Sequence, residues 1–268
     1  MVLPGVDREK QLRGHGGRTG LLDATWNGFV KRDYQRWYSP TLGREMELLV
    51  FGHAGARVLA FPTSLGRFFE WEDRQMIDTV RGHIEKGWLQ FFCVDSVDDE
   101  SWYARGKHPH DGARRHVQYE EYLLREVLPY SQHINPNPYL ITTGASFGAY
   151  HAMNLALRHP TLVDRVLALA GMYDIKRITK GYSDSLVYFH DPSDYLMNEH
   201  DAMRLAVLKE LDIIMAIGRD DPNRADNEHL SRVLWSKGIW HAFRLWDGWA
   251  HDWPWWRQML PLYIGGHD

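Results

Sequence analysis

A chain of 268 residues has room for one large α/β domain or two small ones, with a sizeable buried core. Its 44% hydrophobic and 25% charged residues are ordinary for a globular protein, and a net charge of −4 carries no electrostatic footprint for nucleic acid or an anionic membrane surface. The single cysteine, Cys93, excludes an intrachain disulfide, and its apolar run Leu89–Val94 marks it as a buried small hydrophobe.

The N-terminus, Met1 to Asp7, has no apolar core of the kind a secretory signal needs, and no apolar run approaches the ~20 residues that cross a bilayer. The expectation is a cytoplasmic protein with no membrane partner. Residues 1–30 are polar and carry Gly14, Gly16, Gly17 and Gly20, which reads as an irregular arm.

From Arg32 the pattern turns strand-like. Tyr34–Tyr38, Glu45–Phe51 and Arg57–Phe61 read as three strands separated by Pro40–Gly43 and Gly52–Gly55, the second gap being hairpin-like. Asp73–Lys86 places Met76, Ile77, Val80 and Ile84 at helical spacing. Trp88–Val94 is a buried strand. Asp95–Arg115 is a polar loop longer than most connections, a length that favours function. His116–Tyr130 reads as a helix, and Tyr139 to Thr143 as a strand. Ala149, Ala152, Met153, Ala156 and Leu157 form a small-residue helix ended by His159-Pro160.

Further along, Arg165–Ala170, Leu211–Ile217 and Trp240–Trp246 read as strands, and His229–Lys237 and Trp253–Tyr263 as helices. Residues 171–210 have no strand pattern and read as a helical insert over the sheet. Strands alternating with helices from Arg57 onward imply a largely parallel sheet covered on both faces, with an antiparallel N-terminal edge. The reading is a single α/β domain over residues 1–268.

The chemistry centres on Gly144-Ala145-Ser146-Phe147-Gly148, a Gly-x-Ser-x-Gly pattern between a strand and a helix. In that setting it describes a nucleophile elbow, whose tight turn holds the serine hydroxyl clear of the sheet. A plain strand-to-helix turn with a serine N-cap is the competing reading. A serine hydroxyl needs a neutral histidine to take its proton and an acid to orient that histidine. Ligands of a doubly wound sheet lie at the carboxyl ends of its strands. Two later strand ends supply partners: Asp220 and Asp221 after Ile217, and His251 in Asp247-Gly248-Trp249-Ala250-His251 after Trp246. Asp221 is preferred as the acid, with Asp220 as the alternative and Asp226 and Glu228 nearby.

Two backbone N–H groups should bind the oxyanion. One is that of Phe147, and the other comes from the loop after Phe61, at Ser64 or its neighbours Thr63 and Leu65. Trp102, Tyr103, Phe147, Tyr173 and Trp249 are candidates to line an acyl or aryl pocket. His108, His110 and Asp111 could mimic a metal site but read as solvated loop residues, so no metal or cofactor is expected.

The elbow sequence and the ending Gly248-Trp249-Ala250-His251-Asp252-Trp253-Pro254-Trp255-Trp256 together resemble the putative esterase family of α/β-hydrolases. That family includes S-formylglutathione hydrolases, feruloyl esterase modules and mycolyltransferases. The resemblance runs from about Glu45 to the C-terminus. It implies an α/β-hydrolase fold and hydrolysis of carboxylic esters through an acyl-serine, without a cofactor. It assigns the nucleophile to Ser146, the histidine to His251 and the acid to Asp221. The expected substrates are small-molecule esters with small or aromatic acyl groups, polyesters included. An acyltransferase with the same site, cleavage of thioesters or amides, and a non-catalytic binding protein of the same fold are the alternatives.

Overall fold

The computed structural model describes residues 30–266, so the expected N-terminal arm lies outside the described residues apart from Val30. Eight strands form one sheet in the order β1-β2-β4-β3-β5-β6-β7-β8. They are β1 (Arg32–Ser39), β2 (Arg44–Phe51), β3 (Ala56–Phe61), β4 (Leu89–Val94), β5 (Leu140–Ala145), β6 (Arg165–Leu169), β7 (Asp212–Gly218) and β8 (Ala242–Trp246). β1 pairs antiparallel with β2, and β2 antiparallel with β4, while every other neighbouring pair is parallel. This is the α/β-hydrolase fold with an antiparallel N-terminal edge.

The order corrects one local expectation. The hairpin is β1–β2, closed across Pro40–Gly43, and not β2–β3, because β4 lies between β2 and β3. Gly52 and Gly55 serve a different purpose from a two-strand turn. A Cβ on Gly55 would lie 2.1 Å from the Trp88 carbonyl carbon, so glycine is needed where the chain passes under the start of β4.

Central strands bury both faces, which is why they read as continuous apolar runs. Along β3, Leu59 and Phe61 face one core, while Val58 and Ala60 face the other. The first core packs against α4 (Pro109–Tyr122), α5 (Leu128–Ile134), α6 (Phe147–Arg158) and α11 (Arg224–Ser236). The second packs against α1 (Glu70–Asp73), α2 (Met76–Thr79), α3 (Arg81–Glu85) and α12 (Trp253–Tyr263). Each fully buried Leu, Ile, Val, Phe or Met side chain contributes roughly 1.5–3 kcal/mol to holding these layers together.

Two helices differ from their sequence reading. The 73–86 segment holds two short helices, α2 and α3, because Gln75 adopts φ 60° and breaks the run after α1. The helix expected at His116 starts seven residues earlier, at Pro109, where proline suits the first turn and His108 caps the end. It passes through a π turn at Leu123–Val127 into α5. The polar loop therefore ends at His108. Similarly, α11 begins at Arg224 and not at His229.

Residues 171–210 fold as α7 (Lys176–Thr179), α8 (Ser185–Tyr188), α9 (Pro192–Met197) and α10 (Ala202–Leu208). Of these, α8 packs on α4, and α9 on α6 and α11. The chain moves from β3 to one side to form β4, then crosses to the other side to form β5. The ends of β3 and β5 consequently border a crevice at the carboxyl edge of the sheet, the expected ligand position in such sheets.

Candidate active site

Ser146 sits in the turn between β5 and α6 with φ 55° and ψ −117°, a strained backbone for a residue with a side chain. The surroundings enforce it. Its N–H donates to the Leu169 carbonyl at 2.8 Å, fixing the turn to β6. A Cβ on Gly144 would lie 2.2 Å from the carbonyl carbon and oxygen of Gly148, so the strand and helix can approach only with glycine there. The hydroxyl is left at the crevice, partly exposed.

His251 follows β8, on a loop where Ala250 takes φ 44° before Asp252 caps α12. Its Nε2 lies 3.1 Å from Ser146 Oγ, and its Nδ1 lies 2.8 Å from Asp221 Oδ2. With the proton on Nδ1, the ring donates to Asp221 and accepts from the serine hydroxyl. The edge of Trp256, 5.4 Å between ring centroids, and the ring of Trp249 at 5.7 Å hold its orientation.

Asp221 lies in the turn after β7 with its side chain fully buried. Its second oxygen accepts the Asn223 N–H at 2.8 Å. Asp220 is exposed and contributes only a backbone N–H to Gly248 O at 3.0 Å. Asp226 instead accepts the N–H groups of Tyr173 and Asp174, and Glu228 pairs with Arg224. A Cβ on Gly218 would lie 2.3 Å from Trp249 O, so the loops carrying Asp221 and His251 run in backbone contact.

The loop after β3 presses on the same turn. A Cβ on Gly148 would lie 2.5 Å from Pro62 O. The loop's N–H groups are largely consumed. Pro62 has none, Thr63 donates to Glu70 Oε2 at 2.7 Å, Leu65 to Asp98 Oδ2 at 3.1 Å, and Gly66 to Thr63 O at 2.9 Å. Among the described residues, no acceptor pairs with the Ser64 N–H or the Phe147 N–H. Ser64 Oγ lies 3.0 Å from the Tyr103 hydroxyl.

Glu70, Asp98, Asn223 and His151 were not singled out by sequence, although Asp98 falls within the long polar loop. Asp98 Oδ1 pairs with His151 Nε2 at 2.9 Å, both side chains almost wholly buried. Burial holds the Glu70 carboxyl above its ordinary value, against the two hydrogen bonds from Thr63.

The expected pocket residues divide. Tyr103 is half-buried beside the site, edge-on to Phe147 at 5.0 Å, and Trp249 is exposed next to His251. Tyr173, however, is fully buried in the first core, because Asp226 draws in the backbone of 173–174, so it lines no open pocket. Trp102 and Phe147 are buried in a small aromatic cluster with Tyr150. In the loop flagged for histidines, His108 caps α4, His110 Nδ1 lies 2.6 Å from Asp184, and Asp111 pairs with Arg114.

No described helix is long and apolar enough to cross a membrane. Comparison with known structures gives a shared fold. A ferulic acid esterase superposes with TM-score 0.72 at 19% identity, covering 88% of this chain and 96% of the other. An S-formylglutathione hydrolase from Staphylococcus aureus gives 0.69 at 17%, covering 89% and 96%. Another from Agrobacterium tumefaciens gives 0.69 at 14%, covering 88% and 94%. No curated protein matches the chain. The family model described as Putative esterase matches residues 92–263, which is more than half of the sequence and contains Ser146, Asp221 and His251. The chain belongs to that esterase family and is a serine ester hydrolase.

Proposed function

We propose that the protein hydrolyses carboxylic esters of small or aromatic acyl groups through an acyl intermediate on Ser146. The observation that carries this reading is the continuous relay from Ser146 Oγ to His251 Nε2, 3.1 Å, and from His251 Nδ1 to Asp221 Oδ2, 2.8 Å. In that role His251 takes the serine proton as Oγ attacks the ester carbonyl. It then returns the proton to the leaving alcohol, and repeats the cycle with water to release the acid. Asp221 holds the ring in the required tautomer and stabilises the imidazolium. The N–H groups of Phe147 and Ser64 receive the oxyanion; their being left unpaired beside the serine supports this assignment.

The experiment is hydrolysis of p-nitrophenyl acetate and butyrate by the wild type, Ser146→Ala and His251→Ala. Each variant should fold normally and lose at least about 10³-fold in kcat. A fluorophosphonate should label wild-type Ser146 and not the alanine variant. Activity retained by both variants would end the reading.

A further inference from the structure

Next to Tyr103 lies a cavity of about 370 Å³ that the relay does not use. It is formed by the 101–109 loop, Gly112 in the first turn of α4, and residues 178–180 at the end of α7. Three cations border it, Arg105, Lys107 and Lys180, and no carboxylate lines it. Nearby cations differ in this respect. Arg114, Arg115 and Lys176 each sit against an acid, at 3.0, 2.6 and 2.6 Å. Arg105 and Lys180 have no acidic partner among the described residues, and Lys107 Nζ reaches only the backbone carbonyl of Glu100, at 3.4 Å. On a chain of net charge −4, uncompensated cations around a concavity focus positive potential into it.

Two further features point the same way. Ser101 lines the cavity, is only 3% exposed, and its buried Oγ has no hydrogen-bond partner among the described residues. A buried hydroxyl is seldom left unpaired, and a ligand oxygen would pair it. The amino end of α4, a fourteen-residue helix, also borders the space and adds the positive end of its dipole. Tyr103 is the shared wall: it lines the cavity, packs on Phe147 and meets Ser64 Oγ.

We propose that this cavity is an anion subsite, so that the preferred esters carry a carboxylate at the end remote from the reacting carbonyl. The proposal rests on the ester-hydrolase reading of Ser146 for its link to turnover. The carboxylate can belong to the acyl or the alcohol half, and the test separates them. The mono-p-nitrophenyl ester of glutaric acid is compared with p-nitrophenyl butyrate, and 4-carboxyphenyl acetate with phenyl acetate. For at least one pair the anionic ester should have the lower KM. Arg105→Glu and Lys180→Glu should each raise that KM about 2- to 5-fold, a size typical of exposed charge pairs, with kcat and the neutral ester little changed. High salt should erase most of the difference.

Binding is also measured without turnover, by titrating Ser146→Ala with the same glutarate ester and 4-carboxyphenyl acetate and following tryptophan fluorescence. Weaker binding of either in the charge-reversed variants supports the subsite even if no ester is turned over, which would instead end the hydrolase reading. Equal effects on anionic and neutral esters, or no effect of either reversal on KM and binding, overturns the subsite while leaving the hydrolase reading intact.

Discussion

The carboxylate of Asp98 accepts the backbone N–H of Leu65 at 3.1 Å, although the two residues stand 33 positions apart. Leu65 has φ 59°, so this bond helps hold a strained loop conformation. The other oxygen of Asp98 meets His151, one helical turn beyond Phe147 on α6. One buried carboxylate thus ties together the two segments that carry the Ser64 and Phe147 N–H groups.

Asp98→Ala should therefore lower kcat for p-nitrophenyl butyrate by about 10- to 100-fold, with a smaller change in KM. That is short of the ~10²–10³ cost of removing an oxyanion donor outright. It should also lower the melting temperature, because His151 would be buried without its partner. Asp98→Asn should recover part of kcat, since its amide oxygen can still accept from Leu65. An alanine variant with unchanged kcat would show that the loop is held by Glu70 and Tyr103 alone.

Backbone proximity makes a second prediction. Gly148→Ala would place a methyl group 2.5 Å from Pro62 O and 2.6 Å from Phe61 O, both backbone atoms that cannot swing aside. The β3 loop must retreat from the serine turn, so stability should fall by about 1–3 kcal/mol, and kcat should fall with it. Gly82→Ala provides the contrast. It lies in α3 with nothing within 4 Å of the added methyl, and should stabilise by about 0.5–1 kcal/mol. Urea unfolding of the two variants tests the difference; equal effects would refute it.

The acid of the relay can be tested against its neighbour. Asp221→Asn removes the charge that faces His251 Nδ1 and allows the amide to favour the wrong tautomer, an exchange that costs about 10⁴-fold in a comparable triad. Asp220 is exposed and, among the described residues, its side chain makes no hydrogen bond or ion pair with His251, so Asp220→Asn should stay within about threefold. Steady-state kinetics on p-nitrophenyl acetate decide the matter. A large loss at Asp220 with a small one at Asp221 would reverse the assignment.

What the sequence made legible follows from the range of the forces involved. Apolar runs such as Leu89–Val94 and Ile213–Ile217 announce buried strands because burial on both faces leaves no polar alternation. Ser146, Asp221 and His251 could be picked out because each stands just beyond such a run. Strand order was another matter. Gly52–Gly55 looked like a hairpin turn locally, yet the insertion of β4 beside β2 depends on pairing over some 40 residues. Glu70, Asp98 and Asn223 had no local signal either. Glu70 and Asp98 act by accepting a backbone N–H and Asn223 by donating its own to Asp221, and residues that do so look in sequence like any surface polar residue. Tyr173 misled for the opposite reason, since an aromatic in a polar segment suggests a pocket wall until Asp226 is seen to draw its backbone into the core.

The last prediction concerns acid. Beneath the site, His190 is buried, and desolvation together with the Arg158 cation pushes its pKa down to about 3. His116, packed edge-on to it at 4.7 Å, is lowered in the same way by burial and by its histidine neighbours. The unfolded chain, by contrast, protonates both near 6.5. Below that pH the unfolded state binds more protons at these two sites than the folded one, so their contribution to stability falls as pH drops below about 6.5, by up to about 1.4 kcal/mol per pH unit for each histidine. Glu120 adds a second window. Burial alone would raise its carboxyl, but hydrogen bonds from His159 and Arg158 outweigh that and bring it to about 2. Its contribution is complete above its unfolded value of 4.5 and is lost as pH falls from there through about 2. Between pH 6.5 and 4.5 Glu120 adds little. Asp191, whose burial raises its carboxyl to about 7, takes up its proton in the folded state and opposes the histidines, so their share is read as the difference between wild type and variant. Urea unfolding of the wild type and His190→Gln across that interval should give a variant slope lower by up to one proton. Parallel curves would mean that His190 takes up its proton without leaving the folded state.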